Sequence, residues 1–337
     1  MRSITSTLAT LMVVVSGLAQ SDDVLRVRWG GEQSAVMRVI GVDAENRLRL
    51  AAIDGAQGEA LIPLTEAADL QFILPEVYRE AQQRVFVGRP AEAVFLLREV
   101  MPAYVPYAHI PGSNSGAAVR FYLNLLIDQR EWVEALAIAA GLVEQTVSDR
   151  FVPDLVRLVR SLQLESRFDD AAWLVGRLPI GDVGGANHVL IVGVADEMRR
   201  AGHWVEAQSI YQRLREPAST EEVARWDWLI AYTDWHQGSA LRAGVAVAAV
   251  EDLIPTSQAG LVGLLMGRVA LANGELTTAL DVLGETLIGV DAASEWRIEI
   301  TALIAEAYRA QGDEVLAKTI ESDLQRMHPQ SRWVISP

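Results

Sequence analysis

The stretch Ile304-Ala305-Glu306-Ala307-Tyr308-Arg309-Ala310-Gln311-Gly312-Asp313-Glu314-Val315-Leu316-Ala317 decides the fold. An apolar helical run ends at the polar turn Gln311-Gly312-Asp313, and Ala317 opens the next run. Moving upstream, alanine recurs at the same place: Ala279, Ala243, Ala207, Ala171 and Ala135, at intervals of 38, 36, 36, 36 and 36 residues, with Ala93 a further 42 before them. Each follows a short turn: Gly88-Arg89-Pro90, Gln129-Arg130-Glu131, Glu165-Ser166-Arg167, Ala201-Gly202-His203, His236-Gln237-Gly238 and Asn273-Gly274-Glu275. A period of this size means helix-turn-helix units that stack, because one hairpin cannot bury both its faces alone. A small residue at the start of the second helix lets two helices approach closely. A turn glycine tolerates φ > 0 at a helix C-terminus, and a proline after the second helix stops it. The repeated alanines and glycines are therefore structural.

With Ile304-Ala305, Tyr308, Gly312, Ala317 and Pro329, this hairpin resembles the tetratricopeptide repeat (TPR) family. That family's frame has a large apolar residue and a small one, then Tyr, Gly, Ala and a closing Pro. Met266-Gly267, Ala270, Gly274 and Ala279 fit it, as do Val194-Ala195, Met198, Gly202, Ala207, Tyr211 and Pro217. The resemblance covers residues 117–330, with a poorer first hairpin at 75–102. It implies a mainly α fold, a TPR-like α-α solenoid of about seven helical hairpins over residues 75–330. The period of 36 departs from the family's usual repeat of about 34. In the hairpin of Ala243 the first helix places Trp226, Leu229, Ile230 and Thr233 on its apolar face, one residue out of register with the alanine. An extra residue is expected in that turn.

Residues 20–74 read differently. Val24 to Trp29 alternates apolar and charged residues, and Ala35–Ile40, Arg47–Leu50, Leu61–Leu64 and Leu70–Leu74 are further short strands. Asp43-Ala44-Glu45-Asn46 is a hairpin loop, and Gly30-Gly31 and Asp54-Gly55 mark turns. The strand number and spacing resemble a small SH3-like or Sm-like β-barrel. Ahead of it, residues 1–19 read as a signal peptide: Arg2, the apolar run Leu8–Leu18, and small residues before a cut after Ala19. A retained N-terminal anchor is the competing reading. Residues 331–337 are a C-terminal tail.

Signal cleavage takes the formal net charge from −15 to −16, since it removes Arg2. Such a chain repels phosphate backbones and anionic lipid, so no nucleic-acid partner is expected. With no spanning segment read beyond the signal, no stable membrane insertion after cleavage is expected. There is no cysteine, hence no lipobox, disulfide or thiol nucleophile. Localisation is expected to be periplasmic or secreted.

Little in the sequence points to chemistry, so no catalytic residue, cofactor or metal is assigned. Gly112-Ser113-Asn114-Ser115-Gly116 approaches a nucleophile elbow, but Asn114 holds the nucleophile position and Tyr104–Gly116 reads as a connector. Gly184-Gly185 lacks the rest of a dinucleotide fingerprint. His203 and His236 occupy equivalent turns and are able to approach, yet turn histidines are usually surface or capping residues.

The local anomaly is aromatic. Trp228, Tyr232 and Trp235 recur at i, i+4 and i+7, beside the packing face of Trp226 and close to Trp204 in the preceding hairpin. In TPR proteins the first helix of each hairpin lines the groove, so the resemblance turns this stripe toward it. The alternative is a wide helix buried between neighbours. Aromatic groups in a groove anchor peptides well. Trp228, Tyr232, Trp235 and Arg225 are accordingly the candidate partner-binding residues. The expected function is a non-enzymatic protein–protein interaction scaffold of the cell envelope. It binds a peptide or partner domain in the groove, in the setting of a Tol- or TonB-type energy-transducing complex. Two alternatives are an accessory module that guides substrate to a cell-wall enzyme, and a glycan-binding module using the tryptophans. Oligomeric state and partner identity are left open.

Overall fold

The computed structural model describes residues 25–29, 35–53, 58–67, 70–144, 149–179, 185–248 and 258–333. The signal segment, the turns Gly30-Gly31 and Asp54-Gly55, Gly184, and residues 334–337 of the tail lie outside them. The described residues up to Glu144 form one compact unit and those from Asp149 onward a second.

In the first unit, strands β1 (Arg26–Trp29), β2 (Ala35–Val42), β3 (Arg47–Ala52), β4 (Glu59–Pro63) and β5 (Gln71–Phe72) form one sheet. The strand order is β4-β3-β2-β1-β5, with every neighbour antiparallel. Period-two alternation explains it: Val27, Val39, Leu48, Leu50, Ile62 and Phe72 are buried, while Arg26, Arg28 and Arg38 stand on the other face. At the β2–β3 turn the Asp43 carboxylate accepts the N–H groups of Glu45 and Arg47, each at 2.9 Å. The hydrogen-bonded ladder ends at β4 and β5, with no pairing between those two edges among the described residues.

Helices α1 (Glu76–Phe86) and α2 (Pro90–Leu97), then α3 (Asn114–Asp128) and α4 (Trp132–Val143), complete this unit. The stretch before α3 is more ordered than a connector. Met101–Tyr107 is a 3-10 helix that buries Met101, Tyr104, Val105 and Tyr107. Ser113 caps α3 by accepting the N–H of Ser115 at 3.2 Å, and Ser115 Oγ donates to the Tyr107 carbonyl at 2.7 Å. The Asn114 side chain bonds the backbone of β5 at both groups of Phe72 (2.8 and 2.9 Å). The apparent elbow is thus a helix cap that clamps the sheet.

The second unit holds five hairpins. They are α5 (Val152–Leu164) with α6 (Phe168–Val175), α7 (Gly185–Ala201) with α8 (Trp204–Arg215), α9 (Thr220–His236) with α10 (Ala240–Ala248), α11 (Ala259–Ala272) with α12 (Leu276–Gly289), and α13 (Arg297–Gln311) with α14 (Glu314–Met327). Among the described residues seven hairpins are seen, and the fold is TPR-like helical repeats with a small antiparallel sheet before them.

All seven turns share one construction. A residue with φ between 59° and 94° sits five positions before the buried alanine: Gly88, Arg130, Ser166, Gly202, Gly238, Gly274 and Gly312. Its N–H returns to the carbonyl three residues back, and the next N–H returns to the carbonyl five back, as in Gly274→Leu271 (3.0 Å) and Glu275→Ala270 (2.9 Å). Together the two bonds are a Schellman C-cap. The alanine N–H then bonds the carbonyl four back, as Ala279 does with Glu275 (2.9 Å), so the second helix starts at once. One correction follows. The turn of the Ala243 hairpin holds no extra residue: Gly238 stands five before Ala243, and Ile230-Ala231 fills the apolar–small pair with Asp234 in the Tyr position. Glycine is also not obligatory, since Arg130 and Ser166 take the left-handed conformation.

The small position is used most tightly in α11. A Cβ at Gly267 would lie 2.3 Å from Leu283 Cδ2, and one at Gly263 would lie 2.0 Å from Thr286 Oγ1. Backbone is therefore set directly against side chains of α12, as close helix packing requires.

Candidate functional site

Helix α9 carries the aromatic residues. It starts with a capping box between Ser219 and Glu222. Trp226 is buried against Tyr211, ring to ring at 6.1 Å, and exposed Arg225 places its guanidinium 4.8 Å from the Trp226 ring. Of the stripe, Trp228 and Trp235 are half-buried and Tyr232 is fully buried. Tyr232 is therefore not an open groove residue. Trp204 (5.8 Å) and Trp296 (5.1 Å) close over it edge-on, and its hydroxyl donates to Glu299 Oε2 at 2.6 Å.

Glu299, only 2% exposed, is the centre of a buried ionic cluster. Arg268 Nε donates to its Oε1 at 3.1 Å, and His236 Nε2 stands 3.5 Å from the same oxygen. Burial alone would push this carboxyl's pKa up, but His236, Arg268 and Tyr232 outweigh it and hold it below the usual value. Burial likewise pushes the Tyr232 phenol up, helped by the Glu299 charge, so the hydroxyl stays a donor. Burial pushes His236 down, and the charges of Arg268 and Arg332 add to this. The neutral imidazole lies flat on Trp204, centroids 4.1 Å apart at 9°. His203 instead packs on Phe168 at 3.8 Å, so the two turn histidines have separate partners.

A second cluster joins helices far apart in sequence. Arg199, also 2% exposed, donates to Glu295 Oε2 (2.7 Å) and to the Tyr211 hydroxyl (3.2 Å), with its guanidinium 4.4 Å from the Trp296 ring. Tyr211 in turn donates to Asp196 at 2.7 Å. Arg200 reaches the same Glu295 oxygen at 2.9 Å. Above these groups opens a cleft of about 600 Å³, lined by Arg199, Arg200, Tyr232, Glu295 and Trp296 and bounded by residues 328–333. A smaller hollow of about 190 Å³ lies between Trp235, Arg268, Leu276, Leu303 and Glu306. Arg268 connects the two, its guanidinium 5.9 Å from the Trp235 ring and 5.5 Å from that of Trp333.

The segment after α14 lies across this cleft. Arg332 is held between the rings of Trp204 and Trp333, 4.4 Å from each. It donates to the carbonyls of Arg199 (3.0 Å) and Arg200 (2.9 Å) at the end of α7 and to the Tyr232 hydroxyl (3.4 Å). Trp333 stands 5.5 Å from His236.

Helices α7, α9 and α13, with Glu295 and Trp296 just before α13, therefore supply the cleft; α11 joins through Arg268 in the smaller hollow, and Trp204 from the start of α8 packs on Tyr232 and Arg332. Sequence reasoning found α9 and Trp204 but missed Arg199, Arg268, Glu295, Trp296, Glu299 and the Arg332-Trp333 pair. One signal was available: Glu299 lies between Ile298 and Ile300, and Arg199 directly follows Met198, so each charge sits on a packing surface.

No protein-family profile matches the chain, and no curated protein matches it. Among solved structures it is similar to the C-terminal part of a TPR repeat-containing protein from Cytophaga hutchinsonii, with 13% identity and a TM-score of 0.38 over 76% of this chain and 97% of that one. It is also similar to the apo form of the quorum sensor NprR from B. thuringiensis, with 12% identity and a TM-score of 0.37 over 76% of each chain.

Proposed function

We propose that the chain is a protein–protein interaction scaffold and that the cleft of its second unit binds an extended segment of a partner. One observation carries this reading: α7, α9 and the start of α13 direct stacked rings and paired charges into a single cleft, and the turn-forming segment after α14 already lies across it. Rings that are half-buried at rest gain area when a ligand covers them, with little rotamer entropy to lose. Trp235, in the smaller hollow that Arg268 joins to the cleft, and Trp228 are the contact residues in this reading, Arg225 flanks them, and Tyr232 is the floor of the cleft. The signal-like sequence of residues 1–19 supports a partner in the cell envelope, and a Tol- or TonB-type complex is the first to try, by analogy with envelope TPR scaffolds.

The test is a pulldown from envelope extract with the whole chain, followed by affinity measurement on Trp235→Ala. That variant should lose about 2 kcal/mol or more of partner binding. Its melting temperature should change little, because Trp235 borders a hollow and is only half-buried. Equal affinity of both proteins for every captured partner would end the reading. Mass spectrometry of the envelope form should show a start near residue 20, and an intact Arg2 would favour the anchor.

A further inference from the structure

We infer that the cleft's ligand carries an arginine followed directly by an aromatic residue, and that Arg332-Trp333 is an intramolecular stand-in that a partner displaces. This rests on the cleft being a segment-binding site.

The arginine position is built for a guanidinium. Trp204 offers a flat face on one side, and the two carbonyls at the end of α7 face the N–H groups from another. The Arg199 carbonyl also takes the Gly202 N–H at 3.1 Å, but a carbonyl oxygen has a second lone pair, and the last carbonyls of a helix carry the negative end of its dipole, so they favour a cation with several donors. Arginine satisfies stacking and donation together, whereas a lysine ammonium offers neither a plane nor a fork. The aromatic position is set by Arg268 and His236, which stand 5.5 Å from the Trp333 ring. The guanidinium that reads the face of Trp333 is Arg332 itself, at 4.4 Å, so the two ligand residues reinforce each other.

The segment is poised to leave. Arg332 is exposed and Trp333 only half-buried. Glu299 beneath them is bonded by Tyr232 and Arg268, and Arg199 by Glu295 and Tyr211, so removing the segment strands no buried charge. The cleft has room beside the pair for flanking ligand residues. A net charge of −15 steers cationic segments toward the protein. While the segment is seated, apparent affinity for an outside ligand falls by the fraction of molecules that are open.

The test uses the full chain and a fluorescein-labelled Gly-Ser-Arg-Trp-Gly peptide, read by anisotropy. The double variant Arg332→Ala, Trp333→Ala should bind the peptide about tenfold or more tightly than the unaltered protein, the factor expected if about nine molecules in ten are closed. Replacing the peptide arginine by lysine should cost most of that binding, and adding Trp204→Ala to the double variant should abolish it. Circular dichroism and melting temperature verify folding. Should the double variant not fold, Arg332→Lys keeps the charge and should open the cleft part-way. Equal binding by closed and opened proteins, or an equally good lysine peptide, overturns the inference. A random-peptide array on the same variant separates the two readings. Segments lacking the arginine–aromatic pair, yet displaced by Trp235→Ala, would overturn this inference and leave the cleft reading standing. An array on which nothing binds would overturn both.

Discussion

The turns and the cleft of this molecule are built on opposite principles. Each turn is closed by backbone bonds that reach back three to five residues, and the same bonds recur seven times. The cleft joins Arg199 to Glu295 across 96 positions, and Arg332 to the end of α7 across 133. A turn is thus complete as soon as its own hairpin forms. The cleft exists only when all the intervening hairpins have the right rise and rotation, because errors accumulate along a stack of neighbours. Damage to a turn should stay local, while damage to the cleft should be felt by the whole second unit.

The largest effect is expected at Glu299. Glu299→Ala leaves Arg268 and Tyr232 without their acceptor in a buried site and should cost about 3–5 kcal/mol. Chemical denaturation reads this directly, and a loss under about 1 kcal/mol would show that the ionic cluster does not hold the hairpins together. Next comes the hairpin interior. Ala279→Leu or Ala207→Leu should overpack one helix pair and cost about 1–3 kcal/mol in a thermal melt. An unchanged melting temperature would remove these alanines from close helix crossings.

Acid should act on the cleft before it acts on the turns. His236 is neutral in the fold with its pKa lowered, so below about 6.5 the unfolded chain takes up a proton that the folded chain refuses. Stability then falls with falling pH, beginning near that value. Glu295 and Glu299, both with lowered pKa values, stabilise the fold above the ordinary carboxylate range, and that contribution goes as pH falls through their folded values. Melting temperature followed from pH 8 to pH 4 should show two steps, and His236→Gln should remove the upper one alone. The smallest effect is a gain. Ser166→Gly or Arg130→Gly relieves a left-handed side-chain residue and should stabilise by up to about 1 kcal/mol. A loss there would mean that those side chains contribute more than their strained backbone costs.

Legibility in the sequence divides along the same line. The seven buried alanines, the turns and the five strands were readable because each depends on residues near one another in sequence, through helical spacing, period-two alternation and turn chemistry. Even there, Trp226, Leu229, Ile230 and Thr233 misled: their apolar spacing on α9 suggested a shifted register that Gly238 and Ala243 do not have. The aromatic stripe was visible as spacing, but its division into a buried Tyr232 and half-buried Trp228 and Trp235 was not. That division is made by Trp204, Trp296 and Glu299, which other hairpins bring in. The Arg332-Trp333 pair looked like tail because the groups that hold it, Trp204 and the end of α7, lie more than 120 positions away in sequence.

The carboxamide of Asn114 has a consequence for how the molecule behaves among its own copies. Strand β5 is a sheet edge, and an edge with free N–H and C=O groups is a template on which another chain can add a strand. At Phe72 both groups are already taken, one by each end of a side chain 42 positions further on. The opposite edge, β4, ends in Pro63, which has no N–H to offer, and carries the charged Glu59, ion-paired with Arg49 at 2.7 Å. Neither edge is left as a plain ladder. Resistance to strand-by-strand polymerisation is thus written partly into the cap of a helix, where a search for aggregation-prone strands would not look.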